Sequence, residues 1–512
     1  MCACTCGRCR PDPCLWYGRG SSREIEEEIL NPSLRPPSWW DLVRVLTLPA
    51  YFEHIHPIHS FLDRTQFESI AHSSRLNDRL TADKSWSALF YAVLALGSQY
   101  HDGGSYQPAK TVSWRFFATA LALFPDLLIT KPTLVTVQAF TAMAIFASNV
   151  SCLQIEYVMV SEGAKNAQGL GFNRSTAPGN DPRNRTFWVL FFLEKNMTFN
   201  MGRSSSIMDS DICSAIMSQP LQSGSISFDW SLASIRISRL FSRIYASLYS
   251  ISVRGKSMEY YTSTVKSLKS ELEAWKATIP PELQPGQPIR PHSSLTPPLI
   301  DVRLRLHYLY HGTVLHLDRT ALHFSKEPQD RAELVTSIMC TARNVLELTK
   351  FIEIQPYTPI WIIAAAPIAA LLILFDLIID NPTHPDNSAN LALLDVGSGH
   401  FSGLEYASGG TLPGSIASEF TQIARAYVRE KSGLASTGFA RVSESPVMGN
   451  ASSAQMFGGI PAEASLLFSP FGHLPPVVRG PEGMMPGSDG TDMFGSYFPA
   501  WDADFLFGGM PV

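Results

Sequence analysis

From about Trp40 to residue 431, apolar side chains recur every three or four positions, and this period constrains the fold more than any other feature. In "KSWSALFYAVLALGSQY", Trp86, Leu89, Phe90, Val93 and Leu94 fall at i, i+3, i+4, i+7 and i+8, on one helical face. Asp83 precedes them as a cap, and Gly97 near the end fits a stop. "SIRISRLFSRIYASLYS" repeats the pattern with Ile237, Leu240, Phe241, Ile244, Tyr245 and Leu248. Its Arg236, Arg239 and Arg243 read as the solvated side of an amphipathic helix rather than as a phosphate-binding face. "VKSLKSELEAWKATIPP" is another helix, broken by Pro280 and Pro281. "LIDVRLRLHYLYHGTVLHLDR", "DRAELVTSIMCTARNVLELTKFIE" and "SIASEFTQIARAYVRE" follow. Strand-like alternation is scarce and no fixed repeat emerges, so the predicted class is all-α.

The pattern divides the chain. Residues 1–40 hold five cysteines and the charged stretch "REIEEEIL", lack sustained periodicity and are predicted to be disordered. Residues 41–278 form the first part of one large helical domain, and 299–431 its C-terminal helical part. Between them, 279–298 carries seven prolines and reads as a stiff, extended connector. Residues 432–512 are Gly/Ser/Pro-rich and are predicted to form a disordered tail. One segment tests the helical reading. Tyr357–Phe375, "YTPIWIIAAAPIAALLILF", has 19 uncharged residues, near the length of a membrane span. Pro367 interrupts it, Asp376 and Asp380 follow directly, and no basic flank anchors that end. It is therefore predicted to be a core helix covered on every face, with no membrane partner.

Charge narrows the function. The chain has 40 basic and 45 acidic residues, a net −5, and five of the acids (Glu482, Asp489, Asp492, Asp502, Asp504) follow Arg479, after which no Lys or Arg occurs. The rest is balanced and shows no basic block of the kind a self-sufficient nucleic-acid binder uses to neutralise phosphates. In the tail, acids interleave with Phe494, Tyr497, Phe498, Trp501, Phe505, Leu506 and Phe507. That is the composition of an activation segment that folds onto a coactivator, or of a tail that docks on its own helical body. No apolar run opens the chain, so an intracellular location is expected, with Cys152, Cys213 and Cys340 reduced and buried.

No catalytic constellation emerges: there is no phosphate loop, nucleophile elbow, H-E-x-x-H or dinucleotide fingerprint, and no enzyme is predicted. "QGLGFNRS" follows a helical pattern, so Gly169 or Gly171 reads as a helix C-cap. His54, His56 and His59 are spaced by two and three around Pro57 and read as a helix end rather than a metal site. His307 and His311 have metal-compatible i, i+4 spacing, but with His316 they sit among leucines and tyrosines typical of helix packing. Asp376 and Asp380 are a weak hint of a cation site.

Five blocks, in order, resemble the middle homology domain of fungal-specific transcription factors over roughly residues 48–430. "LPAYFEHIHPIHSFLDRTQF" resembles its opening, through Tyr51-Phe52, His56-Pro57 and Phe61-Leu62, and "LFYAVLALGSQY" its next helix. "AKNAQGLGFNRS" and "DPRNRTFWVLFFLEKNMTFNMGRSSSIMDSDI" resemble its strongest signature, carried here by Arg185, Phe187, Trp188, Glu194, Gly202, Arg203, Asp209 and Asp211. The family usually has Asp where Glu194 stands and Pro where Ser204 stands. "LRLHYLYHGTVLHLDR" and "FSGLEYASGGTLPGSIASEFTQIAR" resemble later blocks. The resemblance implies an all-α regulatory domain in the nucleus, a homodimer or heterodimer. It implies regulation of transcription by RNA polymerase II, as activator or repressor, in some members over a metabolic or secondary-metabolite gene cluster. DNA would be reached directly or through a partner, and a coactivator through the C-terminal tail. The competing reading is a helical metabolite-binding or catalytic domain without DNA contact. Within the signature, Arg185, Asp209 and Asp211 are expected to form an ion-pair network that locks helix to loop. Arg203→Ala is expected to lower stability and regulatory output together.

Members of that family normally carry an N-terminal cluster of six cysteines holding two zinc ions, beginning C-x2-C with basic residues in the next interval. Here Cys2, Cys4, Cys6, Cys9 and Cys14 read C-x-C-x-C-x2-C-x4-C, no sixth follows before Cys152, and the basic run is missing. Four of the five could hold one zinc ion, or the C-x-C pairs a soft metal. A truncated or differently spliced N-terminus would also explain the spacing. Zinc is not expected at these cysteines as they stand.

Overall fold

The computed structural model describes residues 46–179, 181–289, 295–412 and 414–436. It is 73% helical, so the all-α class holds. The N-terminal cysteines, "REIEEEIL" and the tail beyond residue 436 lie outside the described residues.

Residues 46–50 are helical and run into a π-turn, Tyr51–Ile55. Then come α1 (Arg64–Ala71), α2 (Leu76–Ala82), α3 (Lys84–Asp102), α4 (Val112–Ala122), α5 (Phe124–Ile129), α6 (Leu134–Asn149), α7 (Leu153–Gly169) and α8 (Pro182–Asn200). A two-stranded hairpin, β1 (Leu221–Ser223) and β2 (Ile226–Phe228), precedes α9 (Trp230–Ile244), α10 (Met258–Ala277) and α11 (Pro297–Phe324). The last helices are α12 (Pro328–Leu348), α13 (Ala366–Asp380), α14 (Asn387–Ala407) and α15 (Ser415–Ser436). α15 continues past residue 431, where the sequence pattern fades.

Two apolar cores organise these helices. The first runs from Leu48 to Leu317 and the second from Tyr308 to Ala424. α11 belongs to both: Leu299, Leu306, Val314 and Leu317 enter the first, and Tyr308 enters the second. Asp318 on α11 is fully buried, where it pairs with Lys269 of α10 and accepts from Ser337 Oγ of α12 at 2.7 Å.

Helix ends mostly follow local chemistry. Asp83 caps α3 by accepting the Trp86 N–H at 3.0 Å, as its position predicts. Gly97, however, does not stop α3, which runs on to Gly103 at φ +80°. A Cβ at Gly97 would lie 2.0 Å from the Thr47 carbonyl oxygen, so glycine stands there because another backbone crosses the helix. α7 ends at Gly169 and Gly171 takes φ +74°, in keeping with the predicted C-cap.

Three expectations need correction, and one element was not foreseen. The 279–298 connector is not extended over its described part: successive turns bury Ile279 and Leu283, and Gln284 Nε2 donates to the Lys276 carbonyl at 3.1 Å. Cys213 and Cys340 are exposed and Cys152 is half-buried, since each falls where its helix or loop meets solvent. The hairpin escaped the sequence pattern because its strands have three residues each, too short for alternation to register. Finally, Tyr357–Phe375 is only partly covered. Val112–Ile129 and Trp361–Asp380 are both long and apolar enough to cross a membrane by length and composition. Trp361–Ala365 forms a π-turn, and Pro367 opens α13 where a helix needs no N–H. Ile368, Leu371, Leu374 and Ile378 enter the second core, whereas Leu372, Ile373 and Phe375 pack against it half-buried.

Candidate functional site

The signature residues converge on α8. Asp181 caps this helix by accepting the Arg183 N–H at 2.8 Å, and Pro182 occupies its first position. Phe187, Trp188, Leu190 and Phe191 are all at most 1% exposed, so α8 is apolar around most of its circumference and runs through the first core.

Two adjacent charges break that apolar surface. Glu194 is 1% exposed and Lys195 is 3% exposed. The Glu194 carboxylate accepts the Ser206 N–H at 2.7 Å, the Ser206 hydroxyl at 3.1 Å and the Ser205 hydroxyl at 2.8 Å. The Lys195 ammonium donates to Ser205 Oγ at 2.7 Å and the Ile207 carbonyl at 2.5 Å, and pairs with Asp209 at 3.1 Å. Asp209 also accepts from Ser242 Oγ of α9 at 2.9 Å. Buried charges persist only when their hydrogen-bonding capacity is met, and here one short loop meets both. All three ammonium donors of Lys195 are committed. The arrangement is a clamp that fixes the 203–209 loop between α8 and α9.

Arg185 takes no part in it. The expected network of Arg185 with Asp209 and Asp211 does not form: Arg185 Nη1 donates to the Leu62 carbonyl at 3.2 Å, on the far side of α8. His56 Nε2 meets the same oxygen at 3.0 Å. Burial of His56, reinforced by Arg185, holds its pKa below the ordinary value against the pull of that bond. Neighbouring carbonyls of this irregular segment are met the same way. Trp230 Nε1 of α9 donates to Ile58 at 3.2 Å, and Gln138 Nε2 of α6 to Phe61 at 3.3 Å. The first block and the signature are therefore one structural unit, because side chains of the later helices satisfy the backbone of the earlier loop.

The remaining signature residues are separate. Trp188 donates to the Ala215 carbonyl at 2.9 Å, and the Arg239 guanidinium lies 5.4 Å from its ring centroid. Arg243 pairs with Glu271. Arg239 thus packs on a core ring, while the exposed Arg243 lies on the solvated side, as the stripe predicts. Gly202 has φ +61° and turns the chain out of α8, leaving Arg203 exposed with its guanidinium 4.3 Å from the Tyr157 ring centroid. Asp211 is exposed, and its backbone carbonyl accepts from Asn173 Nδ2 at 2.9 Å. Lys195 and Ser205 went unread in the sequence, since only burial distinguishes them from ordinary surface residues.

The histidines are packing residues. His54 stacks on Tyr100 at 4.9 Å. Burial pushes His59, His311 and His316 down to about 3 and His307 to about 4, which keeps them neutral. Among the described residues no group of three His, Cys, Asp or Glu side chains is placed to hold a metal ion. Burial raises Asp376 to about 6, with Asp380 adding to the effect and Arg319 opposing it.

Comparison with known proteins places this geometry. Residues 48–277, from the first block to the end of α10, match the Fungal specific transcription factor domain. The chain is similar to an ABC-transporter-regulating transcription factor of Aspergillus fumigatus, 24% identical over 345 residues, 61% of this chain and 38% of that protein. It is similar to the Fusaridione A cluster transcription factor of Fusarium heterosporum, 22% identical over 412 residues, 75% of each chain. An uncharacterized transcriptional regulatory protein of Schizosaccharomyces pombe is 23% identical over 344 residues, 62% of this chain and 41% of that protein. The match thus spans under two fifths of the Aspergillus regulator's length. No solved structure matches the chain.

Proposed function

From the premise that residues 48–277 are a fungal-specific transcription factor domain, we propose that this chain is a nuclear regulator of transcription by RNA polymerase II. The observation that carries this reading is the similarity to the Fusarium cluster regulator across three quarters of both chains. It favours control of a secondary-metabolite gene cluster. The helical body supplies a rigid platform, with the clamp at Glu194 and Lys195 holding its central loop, and works as a regulatory rather than a catalytic unit. DNA is reached directly or through a DNA-binding partner, and the chain pairs as a homodimer or heterodimer. The acidic and aromatic residues beyond Arg479 have the composition of a coactivator-binding segment.

The test is chromatin immunoprecipitation of the tagged chain in a fungal host, combined with transcript profiling after its deletion. Enrichment at promoters whose transcripts fall on deletion supports the proposal. A chain excluded from the nucleus, or bound nowhere and without transcriptional effect, overturns it. In parallel, residues 466–512 fused to an unrelated DNA-binding module are expected to switch on a reporter.

A further inference from the structure

Three lysine or arginine side chains are buried among the described residues: Lys195 at 3% exposed, and Arg303 and Arg305 of α11 at 7% each. Two of the three have a carboxylate. Lys195 pairs with Asp209 at 3.1 Å, and Arg305 with Asp301 at 2.9 Å, one helical turn away. Arg303 has none: its guanidinium makes no hydrogen bond or ion pair with any described residue. Nor is it sealed off. Arg185 Nε is both unpartnered and cut off from solvent, whereas none of the Arg303 nitrogens is cut off in that way.

An arginine does not shed its proton, so a buried one without a counter-charge is a standing cost to the fold. A snorkelling arginine keeps its head in bulk water, but this side chain is withdrawn almost entirely. Burial pushes its pKa below the ordinary value, and no carboxylate opposes the effect. The groups around it add donors rather than acceptors of negative charge. His307 stands one turn further along α11 and is 3% exposed. Burial, then the charges of Arg303 and of Lys276 on α10, push it down to about 4 and keep it a neutral imidazole. Its ring nitrogens make no hydrogen bond among the described residues. Lys276 Nζ donates to the Tyr310 hydroxyl at 3.2 Å and lies 3.5 Å from Glu273. Glu273 is itself engaged, because the Tyr310 hydroxyl donates to it at 2.5 Å.

We propose that Arg303 binds the oxyanion head of a small molecule, a carboxylate or a phosphate, with Lys276 and the His307 imidazole as flanking groups. The guanidinium fork offers such a head two parallel N–H bonds, and a neutral imidazole offers one more. The anion supplies the counter-charge that Asp209 gives Lys195 and Asp301 gives Arg305. Its donors come from two helices, α10 and α11, already joined by the pair of Lys269 and Asp318. A bound anion therefore adds a second tie between them, near the turns that bury Ile279 and Leu283. The site stands on this geometry and does not depend on the regulator reading.

The probes are inorganic phosphate and malonate, titrated into the purified full chain by calorimetry at constant ionic strength, with chloride as the balancing ion. At least one is expected to bind saturably, one per chain, and to raise the melting temperature. The tighter of the two assigns the head group. Arg303→Met is expected to weaken that binding by about tenfold or more. It should leave the melting temperature of the anion-free chain unchanged or higher, because it removes an unpaired buried charge. Arg305→Met, which strands Asp301, is expected to lower that temperature. Arg303→Lys keeps the charge without the fork and is expected to bind about fivefold more weakly than the native chain. Absence of saturable binding by both probes, or undiminished binding in Arg303→Met or Arg303→Lys, overturns the proposal. So does a fall in the anion-free melting temperature of Arg303→Met, which would mean that the chain's own groups already meet this guanidinium.

Discussion

The ammonium of Lys195 lies 3.1 Å from the carboxylate of Asp209, tying the middle of α8 to the 3-10 turn Asp209–Asp211. Lys195 is 3% exposed, so its charge is stable only because this carboxylate, Ser205 and the Ile207 carbonyl surround it. Removing one member of a buried charge pair strands the others. Lys195→Met should therefore lower unfolding free energy by about 3 kcal/mol. Arg203→Ala, at an exposed residue on the Tyr157 ring, should lower it by about 1 kcal/mol or less. Urea denaturation of the two variants checks this contrast, and equal losses would refute the clamp. Arg203→Ala is thus expected to cost little stability, and a fall in regulatory output without a matching loss of stability would place its role outside folding.

Gly97 is set by its neighbour. Gly97→Ala places a methyl group 2.0 Å from the Thr47 carbonyl, and backbone cannot yield as a flexible side chain can. The variant should lose about 3 kcal/mol, with the 46–55 segment displaced from α3. Hydrogen exchange of that segment is the direct measure, and unchanged protection would contradict the crossing.

Trp230→Phe keeps a ring in the first core but removes the indole donor to the Ile58 carbonyl. An orphaned buried carbonyl costs about 1–3 kcal/mol. Exchange should rise around residues 56–62 rather than around α9. A loss confined to α9 would show that packing, not this bond, is what the tryptophan contributes.

Buried groups should tilt stability with pH in opposite directions, over windows that overlap below neutral pH. Burial raises the Glu156 carboxyl from 4.5 to about 7, against a hydrogen bond from Ser148. The folded chain holds that proton more tightly than the unfolded one. The stabilisation is complete below pH 4.5 and is lost as pH rises through 7. Glu156→Gln should therefore gain about 2 kcal/mol over the native chain between pH 5.5 and pH 8.5. The buried histidines act in the other direction. His59, His311 and His316 are depressed to about 3, so the unfolded chain takes up their protons first. Their contribution is complete above pH 6.5 and falls away as pH drops towards 3. Melting temperatures across this range, for the native chain and Glu156→Gln, check both arms.

The helical period was enough to place α3, α9 and α11, because an amphipathic face is written in consecutive residues. The Asp83 cap was legible for the same reason: donor and acceptor are three positions apart. Arg185, Trp188 and Asp209 stood out by resemblance, yet their partners did not. Arg185 meets Leu62 and Trp188 meets Ala215.

Local order in the sequence thus determined the class, most helix positions and the identity of the central helix. Tertiary structure alone decided that Gly97 is a crossing point, that Lys195 carries the clamp and that Arg303 is buried without a carboxylate among the described residues. Each of those outcomes rests on how far a residue is buried and on which distant backbone passes it. Trp230 and Ile58 are separated by 172 positions, and no period of 3.6 residues reaches across such a gap.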